Sequence, residues 1–88
     1  MDVAFEASFA RDLKKIRSKT IRDSVQDVIE QVRSADSLQN IRGLSKLEGY
    51  TSYYRIRLKD YRLGIEVEGN QVIFVRILHR KDIYRYFP

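Results

Sequence analysis

Arginines alternate with apolar residues in the second half of the chain, and their spacing is what could do chemistry. The first run is Tyr54-Arg55-Ile56-Arg57-Leu58, the next Asp60-Tyr61-Arg62-Leu63, and the last His79-Arg80-Lys81-Asp82-Ile83-Tyr84. Neighbouring side chains on a strand point to opposite faces. Tyr54, Ile56 and Leu58 therefore share one face, and Arg55 and Arg57 share the other. The following strand repeats the division, with Tyr61, Leu63, Ile65 and Val67 set against Arg62. Parity adds Ile73, Val75 and Ile77 to the apolar face, and Arg76 and Arg80 to the basic one. This expectation assumes unbroken alternation, because a bulge reverses part of the pattern. A planar guanidinium pairs with two phosphate oxygens at once, so the basic face is a surface for phosphate.

Other chemistries are excluded by composition. The 88 residues include no cysteine and one histidine. Thiolate catalysis, disulfides, Cys-based zinc sites and His-rich metal sites are therefore out. No Ser-His-Asp arrangement is suggested. Phosphodiester chemistry on RNA without a metal remains, because RNA brings its own nucleophile, the 2′-hydroxyl. The protein must then align that hydroxyl with the phosphate and neutralise the developing charge. A tyrosine ring can stack on a base and hold the strand in line. Arginine stays protonated and makes a poor general base.

Net charge supports a polyanionic partner. It is +5 for the whole chain, and the excess is uneven. Residues 1–49 hold nine Lys/Arg and eight Asp/Glu, whereas residues 50–88 hold eight and four. The surplus lies in the half that carries the alternating arginines. No apolar run approaches the roughly 20 residues that span a bilayer, and nothing at the start reads as a signal peptide, so the expected location is the cytoplasm.

The elements that must position these groups form one domain, residues 1–88. Residues 3–7 suit a first strand. Ser8 is a candidate N-cap, followed by Phe9, Leu13 and Ile16 at helical spacing. Thr20 is a second candidate cap, with Ile21, Val25, Val28, Ile29 and Val32 as one stripe. The two segments predict an αα-hairpin over residues 9–34, its charges forming a solvated outer face. Residues 36–49 read as irregular, pinned to the core by Leu38, Ile41, Leu44 and Leu47. Three strands follow at about 53–59, 61–68 and 71–78, joined at Lys59-Asp60 and Glu68-Gly69-Asn70. The third is apolar on both faces and should be buried. A short helix or turn opens near Asp82. The class is α+β: an N-terminal strand, a two-helix hairpin on one face of an antiparallel sheet, and a short C-terminal helix.

The motif runs Tyr54-Arg-Ile-Arg-Leu, Asp60-Tyr-Arg-Leu and Val75-Arg-Ile-Leu-His-Arg-Lys-Asp-Ile-Tyr84, with the Leu44-Ser-Lys-Leu-Glu-Gly49 lead-in, resemble the RelE/ParE superfamily of type II toxin–antitoxin toxins. The resemblance covers nearly the whole chain. It implies a ribosome-dependent mRNA endonuclease that cuts in the A site by metal-free 2′-hydroxyl attack and stops translation. ParE-like relatives imply the alternative, a non-enzymatic inhibitor of DNA gyrase. Carried over by position, the resemblance implies that Arg55 and Arg57 contact the scissile phosphate and assist proton transfer. It implies that Arg62 binds phosphate, that Arg80 stabilises charge or protonates the leaving oxygen, and that Tyr84 stacks on mRNA. The chain departs from the best-known RelE toxin, which has lysines at the first two positions. That leaves the general base unassigned. His79 is one candidate by pKa, and a packed structural role for it is equally open. Arg76 meets either nucleic acid or an acidic residue of an antitoxin, and Lys81 is either solvated or in contact with ribosomal RNA. The implied partners are a cognate antitoxin, the ribosome and mRNA, with operator DNA reached only through the antitoxin complex. No cofactor or metal is implied.

Overall fold

The structure, a computed structural model, describes residues 1–88. Its elements in chain order are β1 (Asp2–Phe5), α1 (Ala7–Lys14), α2 (Lys19–Ser34), a 3-10 turn at Leu38–Asn40, β2 (Leu44–Lys46), β3 (Tyr53–Leu58), β4 (Tyr61–Glu68), β5 (Gln71–His79) and α3 (Ile83–Tyr86). The five strands form one sheet in the order β1-β5-β4-β3-β2. β1 joins β5 in parallel and the other pairs are antiparallel, so the sheet is mixed. It contains one strand more than the sequence led us to expect, because β2 lies in the segment read as irregular. Both outer strands are short, four residues in β1 and three in β2. No helix is long and apolar enough to cross a membrane.

The helices start where local chemistry allows, two residues earlier than expected. α2 is capped by Ser18, whose hydroxyl accepts from the Ile21 N–H at 3.2 Å, rather than by Thr20. α1 begins after Glu6, so Ser8 lies inside the helix and its hydroxyl donates to the Val75 carbonyl. The predicted stripes face the sheet. Phe9, Ile16, Val25, Ile29 and Val32 pack with Ile56, Leu63, Ile65, Val72, Phe74 and Ile77 in the main core. Each large buried aliphatic of this kind contributes roughly 1.5–3 kcal/mol over leaving it exposed.

A bulge corrects the parity expected for β5. Ile65 pairs with Phe74, but Gly64 pairs with Arg76, so Val75 is an extra residue. Val72 and Phe74 consequently enter the main core. Ile73, opposite Glu66, does not join Ile77 there. Val75 packs instead on a second, smaller core of Leu47, Ile83 and Phe87. That cluster lies on the sheet face away from α1 and α2, and it ties α3 down.

Gly64 makes this docking possible. A Cβ added there would lie 2.6 Å from two atoms of the Phe87 ring, inside any real contact. Gly64→Ala is expected to lower the thermal midpoint by about 5–20 °C, from an overpacking cost of about 1–3 kcal/mol. A circular-dichroism melt checks this, and an unchanged midpoint would mean that Phe87 does not hold α3 in place.

Candidate nucleic-acid interface

Arg55 and Arg57 of β3 and Arg62 of β4 project from the face opposite the helices. Register sets Arg57 directly across from Arg62, and Arg55 across from Gly64 and Ser45. Like charges placed opposite one another in a sheet are destabilising. None of the molecule's four ion pairs includes one of these three arginines. The three arginines line a hollow of about 220 Å³ with Gly43, Leu44 and Ser45. Its wall is tight. Gly43 has φ +74°, its carbonyl accepts from the Arg57 N–H at 3.0 Å, and a Cβ there would come 3.1 Å from the Arg57 carbonyl.

Arg62 is the focus of this field. Its Nη1 donates to the carbonyls of Lys59 and Tyr61, each at 2.8 Å, so the guanidinium is fixed. Burial lowers its pKa from the usual arginine value. Arg57, Arg55 and Arg80 lower it further, and Asp60 alone opposes them. An anion in the hollow would supply the charge that the protein leaves out.

Arg80 and Tyr84 complete the arrangement. The Arg80 N–H donates to the Asp60 carbonyl at 2.7 Å, which places its side chain near Arg62. Its guanidinium stands 3.9 Å from the Asp60 carboxylate, and both side chains are more than half exposed. Such a pair contributes about 0–1 kcal/mol and leaves Arg80 free for another anion. Tyr84 on α3 is 63% exposed, with the Arg55 guanidinium carbon 5.1 Å from its ring centroid. Lys81 is exposed in the turn between Arg80 and α3.

Two expected members of the group lie elsewhere. Arg76 was placed on the basic face by parity, and its register opposite Gly64 agrees, but its side chain is drawn to the α1 edge of β5 and away from the other arginines. Its Nε and Nη2 donate to the Asp12 carboxylate of α1 at 2.7 and 3.0 Å. The hydrogen bond to Asp12 raises the Arg76 pKa, against a smaller effect of burial. His79 pairs with Tyr61, whose ring it meets edge-on at 5.8 Å. It lines a separate hollow of about 380 Å³ with Asp12, Arg76 and Tyr61. Its Nδ1 accepts from the Lys81 N–H at 3.2 Å. The arginine hollow therefore contains no histidine.

Three residues passed over in the sequence also reach the site. Lys46, Glu48 and Tyr50 line a second hollow of about 440 Å³, together with Arg55 and Tyr84. Arg55 is common to both hollows. The available signal was the pair Gly43 and Gly49, which brackets a short segment and marks a turn at each end.

The uncompensated charge leads to a prediction. Arg57→Gln removes one cation from a facing pair and is expected to raise the thermal midpoint by about 2–4 °C, from relief of about 0.5 kcal/mol. Added phosphate should narrow the gap between mutant and native protein. A lower midpoint in the mutant would show that the arginines do not repel one another in the fold.

Known proteins share this fold. The model of the family described as ParE toxin of type II toxin–antitoxin system, parDE, matches residues 3–84. Toxin RelE3 of Methanocaldococcus jannaschii is 45% identical over 89 residues, covering all of both chains. The toxin–antitoxin complex RelB–RelE from Methanococcus jannaschii contains a chain that superposes with a TM-score of 0.82 at 44% identity, over 97% of this chain and 99% of that one. A chain of the archaeal RelE–RelB complex from Pyrococcus horikoshii OT3 shares the fold, with a TM-score of 0.73 at 19% identity over 90% and 93% of the two chains. With a whole-length relative and a family match from the first strand to Tyr84, the chain belongs to the ParE/RelE family of toxins of type II toxin–antitoxin systems.

Proposed function

We propose that the protein is a ribosome-dependent endoribonuclease that cuts mRNA in the A site and so stops translation. The observation that carries this reading is the set of three arginines without a carboxylate partner, next to an exposed tyrosine ring. The 2′-hydroxyl attacks the adjacent phosphorus and the 5′-oxygen leaves, giving a 2′,3′-cyclic phosphate that water opens to a 3′-phosphate. Arg57 and Arg62, facing each other across β3 and β4, take the non-bridging oxygens. The Arg62 fork is already held by two carbonyls, so little reorganisation is needed there as charge develops. Arg55 holds Tyr84 by its ring, and Tyr84 stacks on a base to bring the strand into line. Arg80, on the far side of Arg62, meets the leaving oxygen. Proton removal from the 2′-hydroxyl is not a task these arginines can perform at neutral pH.

The partners follow from the same surface. A cognate antitoxin covers the basic face and supplies the missing negative charge, as fits the similarity to toxins solved with their antitoxins. Operator DNA is reached through that complex. The place of action is the cytoplasm, with the ribosome.

Purified protein added to a translating extract should produce new mRNA ends inside codons, mapped by primer extension. Arrested translation with intact mRNA would end the nuclease reading. A gyrase supercoiling assay tests the alternative, which the ParE description of the matching family favours. Lost supercoiling without mRNA cuts would establish it. Copurification with a small acidic protein from the adjacent gene tests the antitoxin.

A further inference from the structure

The 440 Å³ hollow beside Tyr84 differs in kind from the arginine hollow it adjoins. Two of the chain's four large exposed hydrophobic side chains stand on its rim, Tyr50 at 46% and Tyr84 at 63% exposed. Tyr50 is exposed yet held. Its ring meets Tyr53 edge-on at 5.4 Å, and Tyr53 meets the buried Phe87 edge-on at 5.6 Å. A turn sets its direction: Gly49 has φ +85°, and the Tyr50 N–H reaches back to the Leu47 carbonyl at 3.4 Å. Glu48 and Tyr50 thereby reach the same hollow from either side of Gly49.

Glu48 is the one acidic side chain lining this hollow. A carboxylate only accepts hydrogen bonds. Adenine, cytosine and guanine each present an amino group on the pairing edge. Uracil presents a single N–H between two carbonyl oxygens, which a carboxylate repels. Arg55 belongs to both hollows, so a base held here would sit next to a phosphate held by Arg57 and Arg62.

We propose that this hollow binds one nucleobase of the RNA strand against Tyr50 and Tyr84, and that Glu48 makes it accept amino-bearing bases and reject uracil. The proposal rests on the reading of the arginine hollow as a phosphate site. Aromatic walls give sequence-tolerant stacking, and the carboxylate adds the choice. A charge-assisted hydrogen bond at a partly open site should separate the two classes of base about tenfold.

The test uses the full chain and the four nucleoside 5′-monophosphates, titrated while backbone amide resonances are followed by NMR. AMP, CMP and GMP should move the Glu48, Gly49 and Tyr50 amides, with UMP about tenfold weaker. Glu48→Gln keeps the shape and adds a donor, so UMP should rise to match the others. Tyr50→Phe should bind as the native protein does, and Tyr50→Leu should weaken all four. Equal binding of UMP in the native protein overturns the proposal. Shifts confined to Arg55, Arg57 and Arg62 also overturn it, since they would report phosphate alone. Because the readout is binding, it separates from the nuclease reading. Discrimination without mRNA cutting would leave the pocket and remove the nuclease, whereas cutting with equal binding of all four would do the reverse.

Discussion

Arg62→Ala is expected to lower mRNA cleavage about 10²–10³-fold, the usual effect of losing one prearranged donor to a developing oxyanion. Arg62 is the best fixed of the site's arginines, tied to two carbonyls, and the one on which the other three act. Arg80→Ala should reduce cleavage as well, by less, because its guanidinium is more exposed and its only partner is a distant Asp60. Neither change should lower the thermal midpoint by more than a few degrees, since each removes a repelled cation along with its contacts. Arg62→Lys should recover only part of the activity, because an ammonium cannot bridge two phosphate oxygens as a fork does. Primer extension in a translating extract measures the cuts. Full activity in both alanine variants would sink the site assignment.

The second large effect concerns stability and comes from the other side of the sheet. Asp12 is 6% exposed and accepts three hydrogen bonds, two from Arg76 and one from the Ile77 N–H at 3.1 Å. Breaking a buried pair by removing one partner costs about 3–5 kcal/mol, because the other charge stays behind unpaired. Arg76 is 26% exposed and regains some water, so the low end applies to Asp12→Ala. A fall in thermal midpoint on the order of 15–20 °C is expected. Below that midpoint the arginine face is intact and cleavage should persist. A midpoint within a few degrees of the native value would show that Asp12 does not secure this edge.

The same carboxylate explains which parts of the molecule were legible in the sequence. Alternation in β3 and β4 placed Arg55, Arg57 and Arg62 on the correct face, because those strands pair without interruption there. The helical stripes were equally plain, since a 3.6-residue period survives small errors at the ends. Ile73 and Val75 were misplaced because a single extra residue in β5 reverses parity before Arg76, and Arg76 left the cluster because Asp12 holds its side chain; nothing local in Val75-Arg76-Ile77 announces either. The cause is distant. β1 ends at Phe5 opposite Phe74, and beyond that point α1 takes over the edge of β5 through the Ser8 hydroxyl and Asp12. Lys46 and Glu48 escaped notice for a different reason, since β2 has three residues, too few for a period to show, and Tyr50 reads in the sequence as a packing residue. His79 looked like a base by pKa and stands with Tyr61 on the helix side instead.

The brevity of the two outer strands has a consequence for the free protein in solution. A sheet edge is a row of unpaired N–H and C=O groups, a template on which another chain can build and from which aggregates grow. Here that template is four residues long at one side and three at the other, and the shorter one carries Lys46. Where β5 outlasts β1, side chains of α1 already occupy its open bonds. On the proposed reading the toxin acts free of its antitoxin, with the basic face uncovered. Truncated edges and a net charge of +5 leave little on which a second copy could build edge to edge.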